Sequence, residues 1–150
     1  TKSKFMINNY FARYIFAVVV TYLITVLIVS YLNTSSIVAM GVEMTLYDRL
    51  NTAWFDLLGM ANYYLPIIAL SLVIAFVLIK KALYRLVGDG AFSYALSGFL
   101  GIAVMHLTLK HLFDLSVFDL TPALLGLMLQ CAAGAVGGWT FYRLRPSGQG

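Results

Sequence analysis

The chain reads as an all-α membrane protein. It predicts a four-transmembrane-helix bundle with an outer interfacial amphipathic helix between spans 1 and 2. Three observations carry this. The 150 residues are 61% hydrophobic and only 11% charged, whereas soluble domains carry about 25% charged residues; so much apolar surface has to face lipid. Four apolar runs are long enough, at ~1.5 Å per residue, to cross a hydrocarbon core of ~30 Å. Lysine and arginine gather at the ends of these runs on one side only.

Span 1 is expected at residues 10–32. No charge falls between Tyr14 and Leu32. The run Val18-Val19-Val20 is a poor helix former in water, but in lipid the backbone has no partner other than itself and stays helical. The run also exceeds a signal-peptide core of about 7–15 residues, which predicts a retained span rather than a cleaved leader. Span 2 is expected at residues 63–79, stopping at Lys80-Lys81, with Pro66 in its first turn, where a missing N–H costs little. Span 3 is expected at 91–109, after the turn Gly88-Asp89-Gly90. Span 4 is expected at 122–142, opened by Thr121-Pro122 as N-cap and first helical residue and closed by Arg143 and Arg145. The whole chain forms a single membrane domain.

The connection from Asn33 to Asn62 is too long for a simple turn. Within it, residues 44–61 have helical periodicity. Leu46, Tyr47, Leu50, Trp54, Leu57, Leu58 and Ala61 share one face, with Asp48, Arg49, Thr52 and Asp56 mostly opposite. That pattern predicts the interfacial helix, lying in the outer membrane surface with Leu50, Trp54 and Leu58 shielded from water.

Eight basic residues (Lys2, Lys4, Arg13, Lys80, Lys81, Arg85, Arg143, Arg145) fall on one side with Asp89, and two (Arg49, Lys110) on the other, which also holds Glu43, Asp48, Asp56, Asp114 and Asp119. Basic residues mark the cytoplasmic side. Both termini are therefore expected in the cytoplasm, and the expected location is a bacterial inner (plasma) membrane. Tyr10, Tyr14, Tyr84, Trp139 and Tyr142 suit the inner aromatic belt; Tyr31, Tyr63 and Tyr64 suit the outer one.

Spans 3 and 4 carry the small residues that let helix backbones approach in lipid: Gly98 and Gly101 on one, Gly134, Gly137 and Gly138 on the other. They predict close helix packing, either of one span on the other or with a protein partner or second copy. Spans 1 and 2 lack such residues and suit lipid or a bulky partner.

The candidate polar site closes span 3. His106, Lys110 and Asp114 are spaced by four and share a helix face if the helix runs that far; His111 lies one position off. Ionisable groups inside a membrane point to function, and histidine can carry protons or accept a ligand. A histidine at this depth also serves simply by bonding a neighbouring hydroxyl, and Lys110 can snorkel to the surface.

Known chemistries find little to use. Both histidines lie on one span, whereas a bis-histidine haem needs facing helices. Zinc wants about four ligands. Cys131, the lone cysteine, sits among alanine and glycine without a base. No P-loop or dinucleotide fingerprint occurs, and the basic residues form no soluble patch for nucleic acid. The reading therefore assigns no catalytic residue, metal or cofactor. Three function classes remain. An accessory or structural subunit of a larger membrane assembly or homo-oligomer needs only what the sequence shows. A small oligomeric carrier or channel needs more polar residues than Thr21, Thr25, Ser71, Ser97, His106, Thr108 and Gln130. A lipid- or quinone-directed enzyme would use His106, His111 and Asp114.

Overall fold

The computed structural model describes residues 10–113 and 121–145. It is an all-α helical bundle. Helix α1 spans Tyr10–Ala39; α2 spans Leu46–Ile74 and passes through a π-helical turn, Ala75–Ile79, into the short α3, Lys80–Val87; α4 spans Ala91–Phe113 and α5 spans Thr121–Arg143. Four stretches are long and apolar enough to cross a membrane: Tyr10–Ala39, Leu46–Leu78, Ala91–Leu112 and Leu124–Arg143. That is the mark of an integral membrane protein.

The first outer connection departs from the sequence reading. It shrinks to residues 40–45, because both neighbouring helices extend into it. α1 ends in a Schellman motif. Gly41 adopts φ 88°, its N–H bonds Val38 O, and the Val42 N–H bonds Ile37 O; glycine takes this left-handed conformation without a Cβ penalty. α2 opens with a capping box at Thr45. The Asp48 N–H donates to Thr45 Oγ1, and the Thr45 N–H donates to Asp48 Oδ2. Thr-x-x-Asp is a recognisable helix start, and it fixes the first turn at Leu46.

A separate interfacial helix at 44–61 is therefore a correction. The segment is helical from Leu46, but it continues without a break into the second span. Nothing at residues 61–63 satisfies a helix end, and in lipid an interrupted ladder leaves backbone groups unpaired. For the same reason Pro66 lies deep inside α2 rather than in a first turn: losing one hydrogen bond costs less than breaking the helix.

Leu50, Trp54 and Leu58 are exposed, Trp54 at 58%, while Arg49, Thr52 and Asp56 are half-buried. Leu57, Met60 and Ala61 of the same turns pack against the core, while Asp48 is exposed alongside Leu50, Trp54 and Leu58.

The core runs along the bundle axis. Val18, Tyr22 and Val26 of α1 meet Ile68 and Leu72 of α2, Ile102 and Met105 of α4, and Phe141 of α5. The closest approaches are at glycine. A Cβ on Gly98 would strike the Gly134 carbonyl, and one on Gly138 would strike the Tyr94 carbonyl. Gly137 lies equally close to Thr21 and Ala17 of α1, and Gly101 lies against Ser71 and Ala75.

Candidate functional site

The buried polar centre joins three helices. His106 of α4 is only 6% exposed. Its Nδ1 lies 3.0 Å from Ile102 O, one turn back on its own helix. Its Nε2 lies 3.0 Å from Tyr64 Oη of α2, and the same Tyr64 oxygen lies 3.2 Å from Gln130 Oε1 of α5. Gln130 is also buried.

Proton counting limits what this triad can do. Ile102 O only accepts, so His106 Nδ1 carries a proton. With a neutral ring, Nε2 holds a lone pair and Tyr64 donates to it. The single tyrosine proton is then spent, and Gln130 meets the tyrosine oxygen through its amide N–H, the other orientation of that side chain. With a doubly protonated ring, Nε2–H donates to Tyr64, which donates to Gln130 Oε1. In both states each ring nitrogen is committed to an internal bond.

The remaining sequence candidates are dispersed. Lys110 and His111 are exposed near the end of α4. Asp114 lies outside the described residues, as do Lys2, Lys4 and Asp119 of the charge pattern. Lys110 reaches the rim of a cavity of about 220 Å³ between α4 and α5, lined by His106, Leu107, Leu124 and Leu127. His106 thus borders this cavity while both of its nitrogens are engaged elsewhere. No group of three or more His, Cys, Asp or Glu with metal-ligand geometry occurs among the described residues. A second cavity, about 300 Å³, lies between α2 and α4. Its two hydroxyls, Ser71 and Thr108, bond Ile67 O and Val104 O of their own helices, which leaves it apolar.

Tyr64 corrects the aromatic-belt reading. Tyr31 and Tyr63 are exposed, whereas Tyr64 turns inward to the triad. The spacing of His106 and Lys110 did not reveal its partners, because they lie 42 and 24 positions away in sequence. The only available signal was the scarcity of polar residues in the spans: a buried histidine in lipid needs a partner, and Gln130 and a tyrosine were among the few choices.

The opposite end of the bundle holds a cluster that sequence reading treated as charge alone. Arg13 is 4% exposed, with its guanidinium carbon 4.8 Å from the Phe141 ring centre and 5.4 Å from that of Tyr10. Arg145 lies over Tyr94 at 4.7 Å, donates to its hydroxyl, and pairs with Asp89 at 3.2 Å. Phe76 stacks on Phe141 at 4.8 Å. Cation–π contacts of this kind contribute about 0.5–2 kcal/mol each, and here they tie α1, α4 and the end of α5 together.

The five glycines sit at internal contacts. Gly98, Gly134 and Gly138 join α4 to α5, Gly137 faces α1, and Gly101 faces α2 and the π-helical turn. A partner reached through spans 3 and 4 would have to use their outer faces. No family model, curated protein or solved structure matches this chain significantly.

Proposed function

We propose that this chain is an accessory or structural subunit that packs into a larger membrane assembly or a homo-oligomer. The observation that carries this reading is the outward apolar face at the start of α2. The uncharged stretch 57–79 is about 34 Å long at 1.5 Å per residue, enough to cross the hydrocarbon by itself. The turns before it carry Asp48, Arg49 and Asp56, together with exposed Leu46, Tyr47, Leu50, Trp54 and Phe55. With 57–79 across the hydrocarbon, these apolar side chains would stand at or beyond the membrane surface, where an exposed apolar patch marks an interaction site.

The interior supports the same reading. Thr21, Ser71, Ser97 and Thr108 bond carbonyls four residues back on their own helices. Their hydroxyls are spent within their own helices rather than on a shared polar path. The positive-side asymmetry supports an orientation with both termini in the cytoplasm of a bacterial inner membrane, which turns the α2 face outward from the cell.

Extraction of the native protein in gentle detergent, followed by mass measurement and partner identification, tests the proposal. A complex well above the mass of a single chain is expected; a lone monomer in gentle extracts and in cross-linked membranes rejects it. The cavity beside His106 favours one second reading, a lipid- or quinone-directed activity. His106→Ala that assembles normally but loses a pH-dependent flux or a lipid conversion would select it.

A further inference from the structure

Three shallow cavities follow the π-helical turn, each sharing a lining residue with the next. The first, about 240 Å³, is a trough between α1 and the end of α2, lined by Tyr10, Phe11, Tyr14, Val73, Phe76 and Val77. The second, about 250 Å³, shares Phe76 and Val77 and adds Lys81 and Tyr84. The third, about 460 Å³, shares Lys81 and adds Arg85 beside Leu78, Ala82 and Leu86. The groove therefore changes along its length from wholly apolar to cationic.

We propose that this groove binds one anionic phospholipid, with an acyl chain in the Tyr14–Val77 trough and the phosphate between Lys81 and Arg85. Charge complementarity argues for the headgroup. Lys81 and Arg85 are exposed, lie one helical turn apart on α3, and form no ion pair among the described residues. A phosphate between them would supply the missing anion, with Tyr84, which lines the neighbouring cavity with Lys81, as a further donor. Position argues for a lipid rather than a soluble phosphate. The cationic end adjoins, by way of the cavity at Phe76, Val77 and Lys81, a trough whose walls lie in the spans Tyr10–Ala39 and Leu46–Leu78, where an acyl chain belongs and an aqueous ion does not.

The π-helical turn builds the trough. One extra residue in the turn changes which side chains face out beyond it; such turns recur at functional sites. Here Phe76 goes into the aromatic stack with Phe141 and Tyr94, while its neighbours Val77 and Leu78 face outward and floor the groove.

The test is native mass spectrometry of the full chain in detergent, with phosphatidylglycerol or phosphatidylcholine of identical chains. Phosphatidylglycerol is expected to be retained at least about tenfold more tightly, in a ratio near one per chain. Lys81→Gln with Arg85→Gln should abolish the preference. Val77→Trp, which fills the trough and changes no charge, should lower retention of both lipids. Arg143→Gln removes a charge at the same end of the bundle but outside the groove, and should leave the preference intact. Equal retention of the two lipids by the unmodified chain overturns the proposal. So does unchanged retention in Val77→Trp, or a loss in Arg143→Gln as large as in the groove variants.

Discussion

Between α4 and α5 the backbones meet at glycine; between α1 and α2 tyrosines bridge the gap. Gly98 stands against the Gly134 carbonyl and Gly138 against that of Tyr94, leaving no room for a side chain. In the other hairpin the Tyr14 hydroxyl donates to Ala69 O and the Tyr22 hydroxyl to Leu57 O. Lipid tails are as apolar as leucine, so neither hairpin gains from hydrophobic burial alone. One relies on dispersion over closely apposed backbones and the other on a few long-reaching hydrogen bonds. The close-packed hairpin spends its small residues inside the bundle. In the tyrosine hairpin Leu46–Leu78 is the least buried of the four spans, and under the proposed subunit role its start is the face offered to partners.

The largest expected effect lies in the glycine hairpin. Gly138→Leu or Gly134→Leu should cost about 1–3 kcal/mol or more in reversible unfolding from detergent, the range for overpacking. Gly59→Leu makes the contrast, because a Cβ there meets nothing within 4 Å; its midpoint should stay near that of the parent chain. Equal losses at Gly138 and Gly59 would erase the distinction between the two hairpins.

The polar triad comes next, since it ties the hairpins together. His106→Ala removes the partner of Tyr64 and leaves buried groups unpaired, at a cost of about 1–3 kcal/mol. Tyr64→Phe breaks the same link from the other side. A double-mutant cycle between these two should show a coupling of at least ~0.5 kcal/mol; additive losses would mean that the triad does not act as a unit. The tyrosine hairpin should be softer. Tyr22→Phe deletes one interhelical bond and should cost about 0.6 kcal/mol, with ~1.7 as the upper end for such bonds. A loss comparable to that of Gly138→Leu would place tyrosine bonding on a par with glycine packing. The smallest effect on the isolated chain is expected for Trp54→Glu, within about 0.5 kcal/mol, although it should strip a partner from the native complex.

How far these features were legible in the sequence follows from their physics. The four spans were legible, because length and apolarity alone decide whether a segment can cross a bilayer. The glycine positions were legible for a similar reason: small residues in lipid have few uses besides close approach. The α1–α2 connection was misread because helical periodicity over 44–61 shows that a segment is helical but not where the helix ends, and α2 runs on to Ile74. The Thr45–Asp48 capping box and Gly41 were the better guides to where helices begin and end. Half of the candidate site was legible. His106 stood out as an ionisable group in an apolar span, but Tyr64 and Gln130 are brought to it by packing of α2 and α5, which no local spacing encodes. Arg13 was read as a topology marker because an arginine at a span end serves that role equally well; its burial against Phe141 depends on a helix more than a hundred residues away.

The most direct measurement places a photo-activated cross-linking side chain at position 54 in native membranes, with the same probe at Leu125 of α5 as reference. Both side chains are exposed, but only Trp54 precedes the uncharged stretch of its span. If the open face of the tyrosine hairpin is the partner surface, the probe at 54 yields a protein adduct and the probe at 125 yields lipid adducts. Lipid adducts alone at position 54 would contradict the subunit role.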